Sequence, residues 1–335
     1  MIRKIQHIAV IGDGGWGTTL AVYLAQKGYA VSLWGPFPEY VRQMRQNRYN
    51  PRFLPGIRLP QTVEVVDCLE ASLEKGDLIV FAVPSKYALK VMTRIQKTRV
   101  PLSHKAFLSV TKGIETTKLM RMSEMIHQRL GNLHLAVLSG PTIAMEVAKG
   151  IPSTAVVASR DVQLAKTIQA VFNSQSFRIY TNTDITGVEL GGSIKNIIAI
   201  ACGVCDGLGL GTNTKAAIMT RGLAEMARLG KVMGAKVKTF WGLTGLGDLV
   251  TTCMNAQSRN RYVGEQLGLG KPIRTIVGSM EMVAEGVETV KAVYRLSQKY
   301  KVPMPITHEV YQIIYKHKKP KLALTDLMTR KMKPE

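Results

Sequence analysis

The chain has 335 residues, enough for two domains with separate cores, and 46% of its residues are hydrophobic. Its 45 basic and 23 acidic residues give a formal net charge of +22, but no aromatic motif is interleaved with the basic residues, which disfavours a nucleic-acid-binding protein. The sequence shows no run of about 18 uncharged apolar residues and no signal-peptide core near its start, so we expect a soluble, cytoplasmic protein without a membrane span.

The first predicted element is a strand at 8–11, followed by the pattern G-x-G-x-x-G at Gly12, Gly14 and Gly17 and then by a helix through Ala25. Gly12 permits a sharp turn, Gly14 lets a pyrophosphate approach the backbone, and Gly17 lets the helix pack closely on the strand. The free N–H groups and dipole of the helix N-terminus attract phosphate. This order of strand, glycine turn and helix predicts a dinucleotide site.

Further apolar runs alternate with helical segments as far as about residue 186, and helical periodicity alone continues beyond it. The predicted strands after the first lie at 30–34, 63–66, 77–83, 106–110, 134–138, 154–158 and 177–180. This alternation predicts an α/β fold, an N-terminal Rossmann-type doubly wound and mostly parallel sheet, joined to an all-α C-terminal domain. The predicted domains are 1–186, which binds NAD(P), and 187–335, which carries substrate and catalytic groups.

The second strand ends at Trp34 without the acidic residue that usually binds the ribose 2′-hydroxyl of NAD. The first acid is Glu39, and Arg42 and Arg45 follow at helical spacing. These arginines could meet a 2′-phosphate, so one hypothesis is that NADPH is accepted at least as well as NADH. The alternative is that both arginines lie on a solvated helix.

Lys195 lies in an apolar helical segment at 189–202. A lysine among apolar neighbours is costly unless it is paired or has a chemical task. Burial lowers the pKa of an amine, which suits a proton donor and acceptor near neutral pH. The alternatives are a lysine that extends to solvent or one paired with Glu189 or Asp206.

Asp248 follows a glycine-rich segment at 242–247 and precedes a predicted helix. It could cap that helix, orient a lysine or hold a substrate hydroxyl. Ser258 similarly precedes a helix and stands beside Arg259 and Arg261. A helix N-terminus next to guanidinium groups favours phosphate binding, although an ordinary capped surface helix has the same spacing.

Two compositional features have less specific interpretations. The four cysteines include one C-x-x-C at Cys202 and Cys205, which lacks a second pair or a nearby histidine couple, so we expect buried, reduced thiols and no metal site. The last 20 residues are rich in lysine and arginine, which suggests weak association with an anionic membrane surface.

Six motifs in order along the chain identify a family resemblance. They are 12–18 (GDGGWGT), 111–113 (TKG), 139–142 (SGPT), 190–196 (LGGSIKN), 245–248 (GLGD) and 258–260 (SRN). Together they resemble bacterial NAD(P)-dependent glycerol-3-phosphate dehydrogenase over about residues 7–315. The resemblance implies a Rossmann domain followed by a helical domain like the C-terminal one of 6-phosphogluconate dehydrogenase. It also implies a homodimer that uses NADPH or NADH to interconvert dihydroxyacetone phosphate and sn-glycerol 3-phosphate for glycerophospholipid synthesis.

The resemblance also implies roles for individual residues, with Lys195 as the general acid and base. The implied substrate-binding residues are Lys112, Gly140, Thr142, Lys195, Asp248, Ser258, Arg259 and Asn260. The implied cofactor-binding residues are Gly12, Gly14, Gly15, Trp16, Gly17, Lys112, Ala144, Arg259, Val283 and Glu285.

Two other functions remain open at this point. A related Rossmann dehydrogenase could act on another phosphorylated or carboxylated hydroxy compound. A non-catalytic module could sense nucleotides or bind nucleic acid, because a fold does not determine a function. The grouping of Lys195, Asp248 and Arg259 disfavours the second, since a binding module does not need all three.

Overall fold

The computed structural model describes residues 4–332 and 334, and these divide into two units. The first unit comprises the chain as far as Lys112 together with Arg121–Val188. The second comprises Gly113–Met120 and the chain from Glu189 onward. The short segment Gly113–Met120 therefore belongs with the helical part of the chain, although it follows a strand of the first unit.

An eight-stranded sheet forms the centre of the first unit, and its strands run in the order β10-β9-β8-β7-β6-β1-β2-β5. They are His7–Ile11 (β1), Ala30–Trp34 (β2), Val63–Val66 (β5), Leu78–Phe81 (β6), Ala106–Ser109 (β7), His134–Ser139 (β8), Ser153–Ala158 (β9) and Phe177–Asn182 (β10). All neighbouring strands are parallel except β8 and β9, which pair antiparallel. The strand order reverses beside β1, which is where doubly wound sheets bind ligands.

Helices cover the sheet, and a small hairpin, absent from the sequence prediction, follows the second of them. The helices are Gly15–Gln26 (α1), Pro38–Asn47 (α2), Leu69–Lys75 (α3), Ser85–Thr98 (α4), Met122–Leu130 (α5), Ala144–Ala148 (α6) and Val162–Phe172 (α7), and the hairpin strands are Tyr49–Asn50 (β3) and Leu54–Arg58 (β4). Local chemistry sets their ends. For example, the Asp161 carboxylate accepts hydrogen bonds from the backbone N–H of Gln163 and Leu164 and thereby caps α7.

The second unit is helical, apart from one π-helical turn at Leu243–Gly247. Its helices are Ile185–Gly207 (α8, from Glu189 onward), Thr212–Val232 (α9), Val237–Phe240 (α10), Asp248–Met254 (α11), Arg259–Gly268 (α12), Ile273–Gly278 (α13), Glu285–Lys299 (α14), Pro305–Lys316 (α15) and Pro320–Met328 (α16). The predicted class, a doubly wound and mostly parallel sheet with a helical C-terminal part, is confirmed.

Helix α8 is the core helix of the second unit. It is long and apolar enough to cross a membrane by length and composition, but 94% of its most apolar stretch is buried. Ile194, Ile197 and Ile198 are fully buried and join the hydrophobic cluster of this unit. Burial of these side chains stabilises the fold by roughly 1.5–3 kcal/mol each relative to exposure. The apolar composition of α8 is therefore explained by its place in the core of this unit.

Helices α8 and α12 approach so closely that only glycine fits at their crossing. A Cβ atom at Gly264 would overlap the carbonyl oxygen of Ile200, and one at Gly203 would overlap that of Arg261. Gly207 and Gly268 make equivalent contacts further along the helices. The spacing of these glycines therefore sets the distance between the two backbones.

Replacing Gly264 by alanine should lower the free energy of unfolding by about 1–3 kcal/mol, because the added methyl group meets backbone that cannot move independently. The matched control is Gly278→Ala near the end of α13, where a Cβ would meet no atom within 4 Å. Urea unfolding of both variants checks this, and equal stability of the two would contradict the packing argument.

Glu225 on α9 is a buried carboxylate that caps another helix. Its oxygens accept hydrogen bonds from the backbone N–H groups of Ile306 and Thr307, at 2.7 and 3.2 Å, and from the Thr307 hydroxyl at 3.1 Å. Burial raises the pKa of Glu225 to about 7, although these hydrogen bonds oppose the rise. The start of α15 is thus held by a group that titrates near neutrality.

The raised pKa of Glu225 predicts a pH-dependent stability. The folded state holds the Glu225 proton more tightly than the unfolded state does. The protonated carboxyl therefore makes its full contribution to the free energy of unfolding below pH 4.5, and this contribution is lost as the pH rises through about 7. Glutamine does not titrate, so the free energy of unfolding of Glu225→Gln minus that of the wild type should rise between pH 4.5 and about 7. Above that pH the difference should stay constant. Urea unfolding across this range measures the difference, and a pH-independent difference would contradict the assignment.

Candidate active site

The glycine-rich turn after β1 has the geometry of a phosphate-binding loop. Gly12 adopts φ +121°, and a Cβ atom there would lie 2.8 Å from the Ala82 carbonyl oxygen. A Cβ atom at Gly17 would overlap the Gly12 carbonyl oxygen, whereas one at Gly14 would meet nothing within 4 Å. Two of the glycines are therefore needed for packing, and the third leaves open space beside the backbone.

Helix α1 begins directly at this open space. Its N-terminal turn contains no acidic residue, and no side chain caps it at Gly14. The N-terminus of a twelve-residue helix with open space beside it suits an anionic pyrophosphate. The residues present in the first unit therefore fit a dinucleotide.

Three other predicted cofactor residues lie on or beside the same helix. The Thr19 hydroxyl on α1 donates to the Ala144 carbonyl oxygen at 3.1 Å, which brings the start of α6 against α1. Trp16 is half-buried in the first turn of α1, and a Cβ atom at its neighbour Gly15 would lie 2.7 Å from the Phe53 carbonyl oxygen. The hairpin that the sequence prediction missed thus forms one wall of the glycine turn.

Lys112, Gly140 and Thr142 come together at the carboxyl ends of β7 and β8. The Lys112 ammonium donates to the Gly140 carbonyl oxygen at 3.1 Å, and the Thr142 hydroxyl donates to the same oxygen at 3.2 Å. Gly140 has φ +146°, and a Cβ atom there would lie 3.0 Å from Ala155 Cα, so the position favours glycine. The parallel strands thus place the three predicted substrate residues of the first unit together.

Lys195 in the second unit is buried, with 5% of its surface exposed, and its ammonium group is paired. It donates hydrogen bonds to the Asp248 carboxylate and to the Thr252 hydroxyl, the latter at 2.6 Å. Asp248 is 1% exposed and is the first residue of α11, whose N-cap is Gly247. The possibility that Asp248 caps the helix is therefore wrong, whereas its contact with Lys195 is the one that orientation of a lysine requires, and binding of a substrate hydroxyl stays a prediction.

The alternative that Lys195 pairs with Asp206 is wrong, because Asp206 has other partners. Asp206 accepts from Lys215 at 2.8 Å and from Arg261 at 2.6 Å. Burial would raise the pKa of Asp206, but these two cations outweigh it and hold the pKa below its usual value. The triad ties the end of α8 to α9 and α12.

Asparagine side chains connect α8, α12 and α14 beside Lys195. Asn260 donates to the Asn196 side-chain oxygen at 3.0 Å and accepts from the Gly286 backbone N–H at 2.9 Å. The Ser258 hydroxyl accepts from the Arg261 backbone N–H, so the predicted cap of α12 is confirmed. Asn260 is therefore fixed from two sides at the start of α12.

Arg259 is exposed at the start of α12 and lies beside two predicted cofactor residues. Its guanidinium donates to the Val283 carbonyl oxygen at 2.7 Å, and Glu285 begins α14 two residues further on. The structure thus brings together Arg259, Val283 and Glu285 in the second unit, next to the segment with Ser258 and Asn260.

The cysteines form no disulfide among the described residues, and three of the four are buried. Cys202, Cys205 and Cys253 are buried free thiols, whereas Cys68 is exposed, so the expectation of burial was wrong there. Burial raises the pKa of Cys205 to about 12, which leaves an unreactive thiol. The three buried cysteines therefore serve as small apolar side chains of the core.

The sequence prediction missed two contributions to this site. Thr252 lies four residues after Asp248, on the same face of α11, and this i, i+4 spacing was the available signal. Ser193 accepts from the Gly113 backbone N–H at 2.9 Å and so holds the chain immediately after Lys112 against α8. That contact had no signal in the sequence.

The chain is similar to members of one known family over nearly its whole length. Residues 7–165 match the family described as NAD-dependent glycerol-3-phosphate dehydrogenase N-terminus, and residues 184–325 match the C-terminus of the same family. The chain is 48% identical, over 98% of its length and 99% of the relative's, to glycerol-3-phosphate dehydrogenase [NAD(P)+] of Chlorobium limicola.

Solved structures give the same similarity. A crystal structure of glycerol-3-phosphate dehydrogenase from Coxiella burnetii is 40% identical, with a TM-score of 0.93 over 97% of this chain and 99% of that one. The yeast enzyme from Saccharomyces cerevisiae is 28% identical, with a TM-score of 0.83 over 98% of this chain and 100% of that one.

Proposed function

Because the chain belongs to the NAD-dependent glycerol-3-phosphate dehydrogenase family, we propose that Lys195 is the acid and base of its reaction. The membership confirms the resemblance carried by the six motifs. The protein is an oxidoreductase that reduces dihydroxyacetone phosphate to sn-glycerol 3-phosphate with NADH or NADPH. Its product is the backbone of glycerophospholipids.

The observation that supports the role of Lys195 is its buried ammonium group, which donates two hydrogen bonds. When bound, the reduced nicotinamide supplies a hydride to the ketone carbon of the substrate, and negative charge develops on the ketone oxygen. A preorganised ammonium stabilises that charge and donates a proton to the oxygen. Asp248 and Thr252 hold the Lys195 amine from two directions, so the group that accepts the proton in the reverse reaction has a fixed position.

The proposed substrate-binding groups suit a phosphorylated ketone, because all of them except the Asp248 carboxylate carry positive charge or hydrogen-bond donors. They are Lys112, Gly140 and Thr142 in the first unit and Lys195, Asp248, Ser258, Arg259 and Asn260 in the second. An exposed guanidinium at a capped helix N-terminus, as at Arg259, favours a phosphate through charge and through the free N–H groups of the first turn. In this assignment the start of α12 binds the substrate phosphate, and Lys195 on α8 contacts the reacting oxygen.

The proposed cofactor-binding groups start from the glycine turn. They are Gly12, Gly14, Gly15, Trp16, Gly17, Lys112 and Ala144 in the first unit and Arg259, Val283 and Glu285 in the second. The open space at Gly14 and the unobstructed N-terminus of α1 support the first group. The contact between Arg259 and Val283 supports the second, because it places two of its members side by side. In this proposal the first domain, 1–186, binds the dinucleotide and the second, 187–335, carries the acid and base.

Three further features complete the proposal. The enzyme works as a homodimer, which is the expectation from the motif resemblance. It is a soluble protein, which the buried position of α8 supports, and it works in the cytoplasm, which is the expectation from the sequence. It also associates weakly with anionic membrane surfaces through its C-terminal segment, 316–332.

The activity is tested by following NADH and NADPH absorbance with dihydroxyacetone phosphate as substrate. We expect Lys195→Ala to lower kcat by roughly two to four decades, the usual contribution of acid–base catalysis. Lys291→Ala, an exposed lysine on α14, is the matched control and should retain wild-type kcat. An unchanged kcat in Lys195→Ala would assign the proton to another residue, and turnover of a β-hydroxy acid instead of dihydroxyacetone phosphate would contradict the proposed substrate.

The C-terminal segment supports membrane association by its charge and exposed apolar groups. Lys319 and Lys321 flank the start of α16 and are exposed, while Leu322 and Met328 on that helix are 55% and 78% exposed. Lys318 contributes less, because it is paired with Glu309 and Asp326. Each basic residue near an anionic leaflet contributes about 1 kcal/mol, so a few of them give weak binding.

Sedimentation with vesicles tests this surface. The protein should bind phosphatidylglycerol-containing vesicles at low salt, bind pure phosphatidylcholine vesicles much less, and dissociate near 1 M salt, where the Debye length falls to about 3 Å. The double variant Lys319→Glu/Lys321→Glu should lose binding, whereas Lys291→Glu/Lys299→Glu on α14, with the same change of net charge, should keep it. Equal loss in both variants would assign the binding to net charge and contradict a specific surface.

A further inference from the structure

Asp13 lies inside the glycine turn, between Gly12 and Gly14, and its carboxylate is buried. Only 6% of the residue is exposed, and no donor in the described part of the chain reaches its Oδ2 atom. A buried carboxylate oxygen without a partner is costly and rare in native proteins. Its position in the cofactor-binding turn points to a functional reason.

The Asp13 carboxylate points toward the end of β2. A Cβ atom at Gly35, the residue directly after β2, would overlap Asp13 Oδ2 and would lie 2.9 Å from a Val41 methyl group on α2. The carboxylate thus occupies the space where a side chain at position 35 would begin. Asn50 fixes this arrangement, because its amide donates at 2.7 Å to both the Asp13 carbonyl oxygen and the Thr18 hydroxyl.

The end of β2 determines which adenosine ribose a Rossmann domain accepts. An acidic residue there favours the free 2′-hydroxyl of NAD, and a nearby arginine accommodates the 2′-phosphate of NADP. In this chain β2 ends at Trp34 and is followed by Gly35 and Pro36, without an acid. Asp13 brings a carboxylate to the same place from a different segment.

The arginines that follow β2 have other partners. Arg42 pairs with Glu39 at 3.0 Å. The Nε of Arg45 donates to the Val65 carbonyl oxygen at 3.0 Å, and its guanidinium lies 3.9 Å from the Asp67 carboxylate. The hypothesis that these two arginines favour NADPH therefore has no support from their contacts.

We propose that the Asp13 carboxylate is a specificity-determining group that disfavours a 2′-phosphate on the adenosine ribose, so that the enzyme prefers NADH to NADPH. The proposal rests on the cofactor site proposed above. Because Oδ2 is buried, the carboxylate acts by charge and not by direct contact, and a charge in a poorly solvated position is screened little by salt. Both cofactors share the pyrophosphate, so its repulsion by Asp13 cancels in a comparison of the two.

The charge state of Asp13 agrees with this role. Burial raises the pKa of Asp13 to about 6, while its own backbone N–H and the Arg52 guanidinium on the β3–β4 hairpin oppose the rise. The carboxylate is therefore ionised at neutral pH and above. Arg52 weakens the negative field without removing it.

Two measurements at a pH well above 6 test the proposal. The first is calorimetric binding of ADP-ribose and of 2′-phospho-ADP-ribose to the wild-type protein, which needs neither catalysis nor nicotinamide. The second is the ratio of kcat/KM with NADPH to that with NADH, measured for the wild type, the nearly isosteric Asp13→Asn and the smaller Asp13→Ser. Glu64→Gln, an exposed acid on β5 paired with Lys75, is the matched control for loss of one negative charge.

We expect wild-type protein to bind the 2′-phosphorylated nucleotide about tenfold more weakly, or worse, and Asp13→Asn to raise the NADPH-to-NADH ratio by a similar factor. Glu64→Gln should leave the ratio unchanged. Equal binding of the two nucleotides, or an Asp13→Asn ratio within about twofold of the wild type, would overturn the proposal. A merely structural role would weaken both cofactors alike and leave the ratio unchanged, which also overturns it. If neither nucleotide bound, the cofactor site itself would be wrong, whereas selective binding with an active Lys195→Ala would reject only the role of Lys195.

Discussion

A lysine ammonium removed from water needs an anion beside it, and in this dehydrogenase Asp248 is that anion. Both groups are nearly inaccessible to solvent, and Thr252 gives the ammonium a second hydrogen bond. Removing one partner of such a buried pair typically costs about 3–5 kcal/mol, so the pair constrains the fold as well as the chemistry. Helix α8 buries Lys195, and α11 begins with the carboxylate that accepts its hydrogen bond.

The close crossing of α8 and α12 transmits this constraint to the rest of the second unit. Glycines at the crossing let the two backbones touch, which sets the separation of Asn196 and Asn260 at hydrogen-bonding distance. Asn260 in turn binds the start of α14 through Gly286. Groups assigned to the substrate are thus positioned by backbone packing, so that a single added methyl group at the crossing would displace several of them together.

In the first unit, the glycine turn combines an attraction with a repulsion. The open N-terminus of α1 favours any pyrophosphate, while the Asp13 carboxylate adds a negative charge in a place that water reaches poorly. The net charge of +22 attracts anionic metabolites in general and does not distinguish between them. Discrimination between two similar dinucleotides therefore needs a charge held close to the point where they differ.

The sequence by itself determined the features that depend on near neighbours: the strands from their apolar runs, the glycine turn from its spacing, the cap at Ser258 and the helical character of the second half. The family motifs added Lys195 and Asp248 as members of one site. Only the tertiary structure decided that they bond to each other across 53 residues, that Thr252 completes the set, and that Gly113–Met120 belongs to the second unit. It also decided that β9 runs antiparallel to β8 and that Asp13 lies against Gly35. The physical reason is that periodicity and capping are local, whereas the partner of a buried charge depends on which distant segments pack together.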